Sequence, residues 1–145
     1  MLITNHVLSG ALIGAVAPGP RSAFVAGIAS HFALDTVPHW GNPSRSVFLR
    51  VAVIDGLVGL TAMGLIARHA SEQRRATVVA GMFGACLPDA DKPSDLFFGR
   101  SPFPAALDAW HIRIQRESPR RMPQEVAVAT AGGLLVRGAL RRLAR

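Results

Sequence analysis

The chain contains no tyrosine and only two tryptophans, so it lacks the full aromatic belt that marks both water interfaces of many membrane proteins. It has one cysteine, Cys86, which excludes an intramolecular disulfide. The neighbours of Cys86 are Met82, Phe83 and Leu87, a setting for an ordinary buried thiol rather than a reactive one. Charge is scarce too. Asp, Glu, Lys and Arg make up 17% of the 145 residues, against roughly 25% in soluble domains. Acidic residues are the scarcer kind, 9 against 16 Lys and Arg, for a net charge of +7. Such a balance suits nucleic acid or anionic lipid. The arginines lie between apolar segments and at the C-terminus, not along one face of a soluble domain. Membrane lipid and anionic substrates are therefore the expected partners, and nucleic acid is not. A basic stretch is also missing ahead of the first apolar run, so residues 1–17 are read as retained structure rather than as a cleaved signal.

What the chain does have is apolar residues, half of the total, and 14 glycines besides. Mean hydropathy is +0.30. Small residues let membrane helices approach closely, and Gly10 and Gly14 form a GxxxG pair. Apolar runs bounded by Pro and Gly predict five helices, over about 2–17, 21–37, 46–67, 73–87 and 123–143. Thr4 or Asn5 is the expected cap of the first. Only the third comfortably reaches the roughly 20 residues that a spanning helix needs. The expected fold is an all-α, polytopic membrane bundle of four to five helices forming one domain over 1–145; a soluble or peripheral bundle is the alternative. Residues 88–122, rich in Pro, Asp and Arg, are expected as a polar loop. Within it, Trp110, Ile112 and Ile114 alternate with His111, Arg113 and Gln115, the pattern of a short strand or extended segment.

Ionisable residues inside apolar segments are costly and are functional suspects. His31 and Asp35 stand four apart and share a helix face; His39 follows from the turn after Pro38. Histidine and carboxylate at this spacing can hold a divalent metal, or can simply satisfy each other by a hydrogen bond. If the first four helices alternate in direction, His6, His31, Asp35, His39, Asp55, Asp89, Asp91 and His111 gather toward one side. Bland alternatives exist for several of them. Asp55 can pair with Arg50, Asp89 and Asp91 can form a capping turn, His6 can cap the first helix and His111 can lie at the surface. His69, Asp95 and Asp108 are expected to be solvated. Arg113, Arg116, Arg120 and Arg121 suit phosphate oxygens or lipid headgroups. Arg137, Arg141, Arg142 and Arg145 form a basic stripe suited to the membrane interface.

Three strings resemble a known family: Thr4-Asn5-His6 before an apolar helix, Ser30-His31-Phe32-Ala33-Leu34-Asp35-Thr36-Val37-Pro38-His39, and Leu87-Pro88-Asp89-Ala90-Asp91. They look like the small membrane-bound, metal-dependent hydrolases that include LexA-regulated inner-membrane proteins. The His-x3-Asp element with Pro and His close behind is also distantly similar to the zinc-dependent phospholipase C and P1 nuclease group, helical enzymes that cleave phosphate esters. The resemblance covers about residues 1–40 and 84–92. It implies a bacterial inner-membrane, multi-pass location and a zinc-dependent phosphoesterase. His31 and Asp35 match its core ligand pair, and Asp89 or Asp91 its Pro-Asp-x-Asp element. The family often carries a Thr-His pair after that element. Here Phe98-Gly99-Arg100-Ser101-Pro102 stands in that region, and the next histidine is His111, which leaves either an incomplete site or His111 as the substitute.

The expectation is thus a Zn2+ or other divalent ion on His6, His31, Asp35 and His39, completed by Asp89 or Asp91, with His111 as a further candidate. Asp55 is the candidate ligand or general base, and Arg113 or Arg116 the phosphate holder. A non-enzymatic membrane protein with a structural His/Asp site, or a small transporter subunit, is the competing expectation.

Overall fold

The computed structural model describes residues 1–143. Arg145 of the basic stripe lies outside the described residues. Among the described residues the fold is all-α: α1 (Ile3–Val16), α2 (Pro20–Asp35), α3 (Arg45–His69), α4 (Glu72–Cys86), α5 (Asp91–Phe98), α6 (Ala105–Ile114) and α7 (Met122–Leu143), with 3-10 turns at Leu87–Ala90 and Pro119–Arg121. Five of these follow the punctuation of the sequence. Pro18-Gly19-Pro20 separates α1 from α2, and Pro20 takes a first-turn position where its missing N–H costs nothing. Pro38 and Pro43 bound the turn between α2 and α3.

Two helices were not expected. The stretch 88–122 contains α5 and α6 rather than a polar loop, so the bundle has seven α-helices among the described residues instead of four to five. Gly99 ends α5 in the left-handed conformation (φ 69°), and its N–H donates to the Asp95 carbonyl at 2.9 Å. The predicted strand or extended segment at 109–116 is helical through Ile114. Its apparent alternation comes from exposed Trp110 and Ile112. The inward face has helical spacing instead, with Leu107 and His111 lining one groove and His111 and Gln115 both reaching Asp35.

Helix α4 is wedged between α1 and α2. Glycine makes the wedge fit. A Cβ at Gly81 would collide with the Gly10 carbonyl of α1, and one at Gly84 with the Phe24 carbonyl of α2. Beside this backbone contact lies a small core of Val7, Leu8, Ala11, Ile66, Ala70, Val78, Met82 and Val136.

The start of α1 is not capped by its own side chains. Asp55 of α3 accepts from the Ile3 N–H (2.5 Å), the Thr4 N–H (3.3 Å) and the Thr4 hydroxyl (2.6 Å). Glu125 of α7 accepts from the Leu2 N–H (3.3 Å) and the Asn5 amide (2.6 Å). Carboxylates from two other helices thus satisfy orphan donors of α1 and complement its dipole.

With 25 residues, α3 is about 37 Å long and is the one helix among the described residues long and apolar enough to cross a membrane; α1 is apolar but shorter. Helices α2 and α4, with 16 and 15 residues, fall short of about 20. Helix length therefore supports one crossing and does not establish several.

Candidate metal centre

The last turn of α2 delivers His31 and Asp35 to the interior, where both are fully buried. Because α4 lies in backbone contact with α2, the Ala85 carbonyl comes within reach of His31 and accepts from its Nδ1–H at 2.7 Å. A carbonyl can only accept, so in the neutral ring Nε2 carries the lone pair. That nitrogen lies 3.3 Å from Asp35 Oδ2, 3.1 Å from His111 Nε2 and 3.7 Å from Asp89 Oδ1. His111 Nε2 is itself 2.9 Å from Asp35 Oδ2. The donor atoms of His31, Asp35, Asp89 and His111 all lie within 4.8 Å of one another.

These distances fit a common ion. Zinc binds His nitrogen and carboxylate oxygen at about 2.0–2.2 Å, so two ligands on a tetrahedral ion stand roughly 3.3 Å apart. Two imidazole Nε2 atoms facing each other and two carboxylates is a poor arrangement for hydrogen bonding alone, since only one of the pair can donate between them. It is a natural arrangement around a cation. The cluster can hold a divalent ion, and nothing in the donor set singles out one metal.

Asp89 comes from the 3-10 turn after α4, where Pro88 makes the chain leave the helix. Lys92, the only lysine in the chain, hydrogen-bonds to it and stands 3.8 Å from Asp91 Oδ1. Burial pushes the Asp89 carboxyl up, but the Lys92 ammonium together with His6 and His31 outweighs this and holds it below its ordinary value. Burial likewise pulls the Lys92 ammonium down, and Asp89 holds it above its ordinary value. Asp89 is therefore an ionised, ligand-ready carboxylate.

His6, fully buried on the first turns of α1, stacks on His31 with ring centroids 4.0 Å apart. Its Nε2 is 3.2 Å from Asp35 Oδ1, yet neither ring nitrogen makes a hydrogen bond. The Met1 ammonium lies 2.5 Å from the same oxygen. The structure thus brings together His6, His31, Asp35, Asp89 and His111, five of the residues singled out in the sequence.

The other candidates lie apart from this cluster. His39 is buried, donates from Nδ1 to the Val37 carbonyl and leaves Nε2 unpartnered, 3.9 Å from Glu117 Oε1. It sits on the parallel bridge between 39 and 117, where His39 N–H donates to the Arg116 carbonyl at 3.0 Å. Asp91 points toward Lys92, with Oδ1 buried and unpartnered. Asp55 is engaged with the backbone of α1, as described. Arg113 and Arg116 are exposed, on and just beyond the end of α6.

Three contributors escaped the sequence reading. Gln115 donates to Asp35 Oδ2 at 3.2 Å and lies 3.2 Å from His111 Nε2; its spacing of four from His111 would have found it had the segment been read as helix. Lys92 carried a signal as the sole lysine beside Asp91. The Ala85 carbonyl is a backbone atom and carried none.

Searches of family models, curated proteins and solved structures found no match to this chain. The resemblance noted above therefore rests on its residue strings alone.

Proposed function

We propose that the protein is a membrane-embedded, metal-dependent hydrolase that acts on phosphoesters at the bilayer surface. One observation carries this reading: four side chains from three separate parts of the chain, His31, Asp35, Asp89 and His111, aim ligand atoms into one buried space less than 5 Å across. The mixed imidazole and carboxylate set suits zinc. A zinc ion held there supplies a Lewis acid for a phosphoryl oxygen and a nucleophile drawn from water near neutral pH.

The chain's own residues have distinct parts. The Ala85 carbonyl fixes the His31 tautomer, and Gln115 donates to Asp35. Such partners orient metal ligands and are costly to remove. Lys92, 36% exposed, pairs with Asp89 and offers a partly exposed cation to an anionic substrate. Arg113 and Arg116, exposed on and just beyond the end of α6, offer planar donors for phosphate. The phosphoester class itself comes from the resemblance.

Membrane residence is supported by exposed apolar side chains. Val53, Ile54, Leu57, Val58, Leu60 and Leu65 of α3 are each at least half exposed, as are Leu134 and Leu135 of α7 and Phe97 and Phe98 of α5. A bilayer covers such a surface, whereas a soluble monomer rarely shows one. The inner membrane of a bacterium follows from the resemblance.

A second reading has one observation in its favour. Four protein donors would fill a tetrahedral zinc, as in structural sites. The test separates the two. Protein is recovered from membranes that have been washed at high pH, which strips peripheral proteins, and assayed on bis(p-nitrophenyl) phosphate. We expect hydrolysis that chelator abolishes and zinc restores, and that His31→Ala/Asp35→Ala lacks. A zinc-bound protein without turnover would establish the structural reading, and loss of the protein in the wash would overturn membrane embedding.

A further inference from the structure

We infer that the α5–α6 segment docks in the headgroup layer of an anionic bilayer, an inference that rests on the membrane reading above. The segment stands off the bundle. Helix α5 buries no residue, and α6 buries only His111. Every exposed residue of α6 is apolar except Arg113. Trp110 is 42% exposed and Ile112 69%, and at the end of α5 Phe97 and Phe98 reach 75% and 78%. The Gly99 turn and Arg100 follow the two phenylalanines directly.

Aromatic rings beside arginines are the composition of an interfacial element, in which the rings enter the acyl boundary and the guanidinium groups stay among the headgroups. Phe98 and Arg100 line one open cleft. Between Ser94 and Arg121 five arginines stand against three acids. Two of those acids are placed elsewhere: Asp108 lines the groove beside His111, and Glu117 lies 3.9 Å from His39. Among the described residues no arginine forms an ion pair. Unpaired cations at the rim of an apolar surface complement anionic headgroups. A second copy of this chain is a poor occupant, because a two-fold contact would set the same guanidinium groups against each other.

This docking brings the bilayer to the metal centre. Helix α6 carries His111 inward and Trp110 and Ile112 outward. Phe32 of α2, next to the ligand His31, meets Trp110 edge-on with ring centroids 4.8 Å apart. A helix with its side chains is about 10–12 Å across, so headgroups over α6 lie roughly one helix diameter from His111.

Trp110 is its own reporter. The chain has no tyrosine and one other tryptophan, so Trp40→Phe leaves Trp110 as the sole emitter. That variant is reconstituted in vesicles of phosphatidylcholine and phosphatidylglycerol whose chains carry bromine either near the headgroup or near the chain end. Shallow bromine should remove most of the emission, and deep bromine or aqueous acrylamide little. Arg100→Gln/Arg113→Gln/Arg116→Gln, or vesicles of phosphatidylcholine alone, should cut the shallow quenching and open Trp110 to acrylamide. If Trp40→Phe fails to fold, the difference between wild type and Trp110→Phe gives the same signal. Quenching by acrylamide alone, in protein that stays with the vesicles through the high-pH wash, would overturn the docking and leave membrane embedding standing. Shielding from bromine and acrylamide alike would show a protein cover and overturn the docking too. So would deep quenching, or shallow quenching indifferent to the arginines and to lipid charge. Loss of the protein in the wash would overturn embedding and docking together.

Discussion

Asp55 sits near the middle of α3, and its oxygens are committed to the backbone and hydroxyl of α1. That commitment argues for an architectural role rather than that of a general base. Removing it strands amide donors at a helix start, at a cost of about 1–3 kcal/mol. Asp55→Ala should lower the unfolding temperature in detergent while leaving bound zinc unchanged; loss of zinc at unchanged stability would return Asp55 to the centre. The reading of single residues succeeded where one helix fixes geometry, as for His31 and Asp35 at i and i+4. It failed for His39. Pro38 takes the chain out of the helix, and the ring turns to Val37 and Glu117 instead of the cluster. No spacing rule reports where a side chain points after a proline.

Among the elements, α4 sets the geometry of the site. Its glycines let it touch α1 and α2 backbone to backbone, and that contact delivers the Ala85 carbonyl to His31. Gly81→Val would force α4 away from Gly10, an overpacking that costs about 1–3 kcal/mol or more. We expect a lowered unfolding temperature and weaker zinc retention together, since the carbonyl moves with the helix. Unchanged retention in a destabilised variant would show that α4 does not position His31. The GxxxG of α1 was legible in the sequence, but its partner surface was not, because helix contacts between distant segments leave no local signal. The helix α6 was misread for a different reason. Apolar and polar residues alternate on its exposed side, and its functional face, Leu107, His111 and Gln115, has helical spacing hidden beneath that alternation.

At the scale of the whole molecule, a chain of 145 residues commits four of its nine carboxylates to two internal networks. Asp35 and Asp89 join the cluster, and Asp55 and Glu125 hold the start of α1, which carries His6. The outside of α3 is left apolar. Alternating helix directions, inferred from turn positions alone, were enough to bring the ends of α1, α2 and α4 to one side. The contribution of α6 depended on a helix inside a stretch read as loop, so His111 was legible as a candidate but its position was not. Only α3 among the described residues is long and apolar enough to cross a membrane, and α1, α2 and α4 are too short for length to mark them as spans.

The central claim is that His31, Asp35, Asp89 and His111 hold a divalent ion, and X-ray absorption at the zinc edge of purified, zinc-loaded protein tests it most directly. The account predicts imidazole nitrogen and carboxylate oxygen at about 2.0–2.2 Å and no sulfur, with the imidazole signature lost in His31→Ala/Asp35→Ala. A sulfur shell near 2.3 Å, which only Cys86 or a methionine could supply, or a shell of oxygen alone, would contradict it.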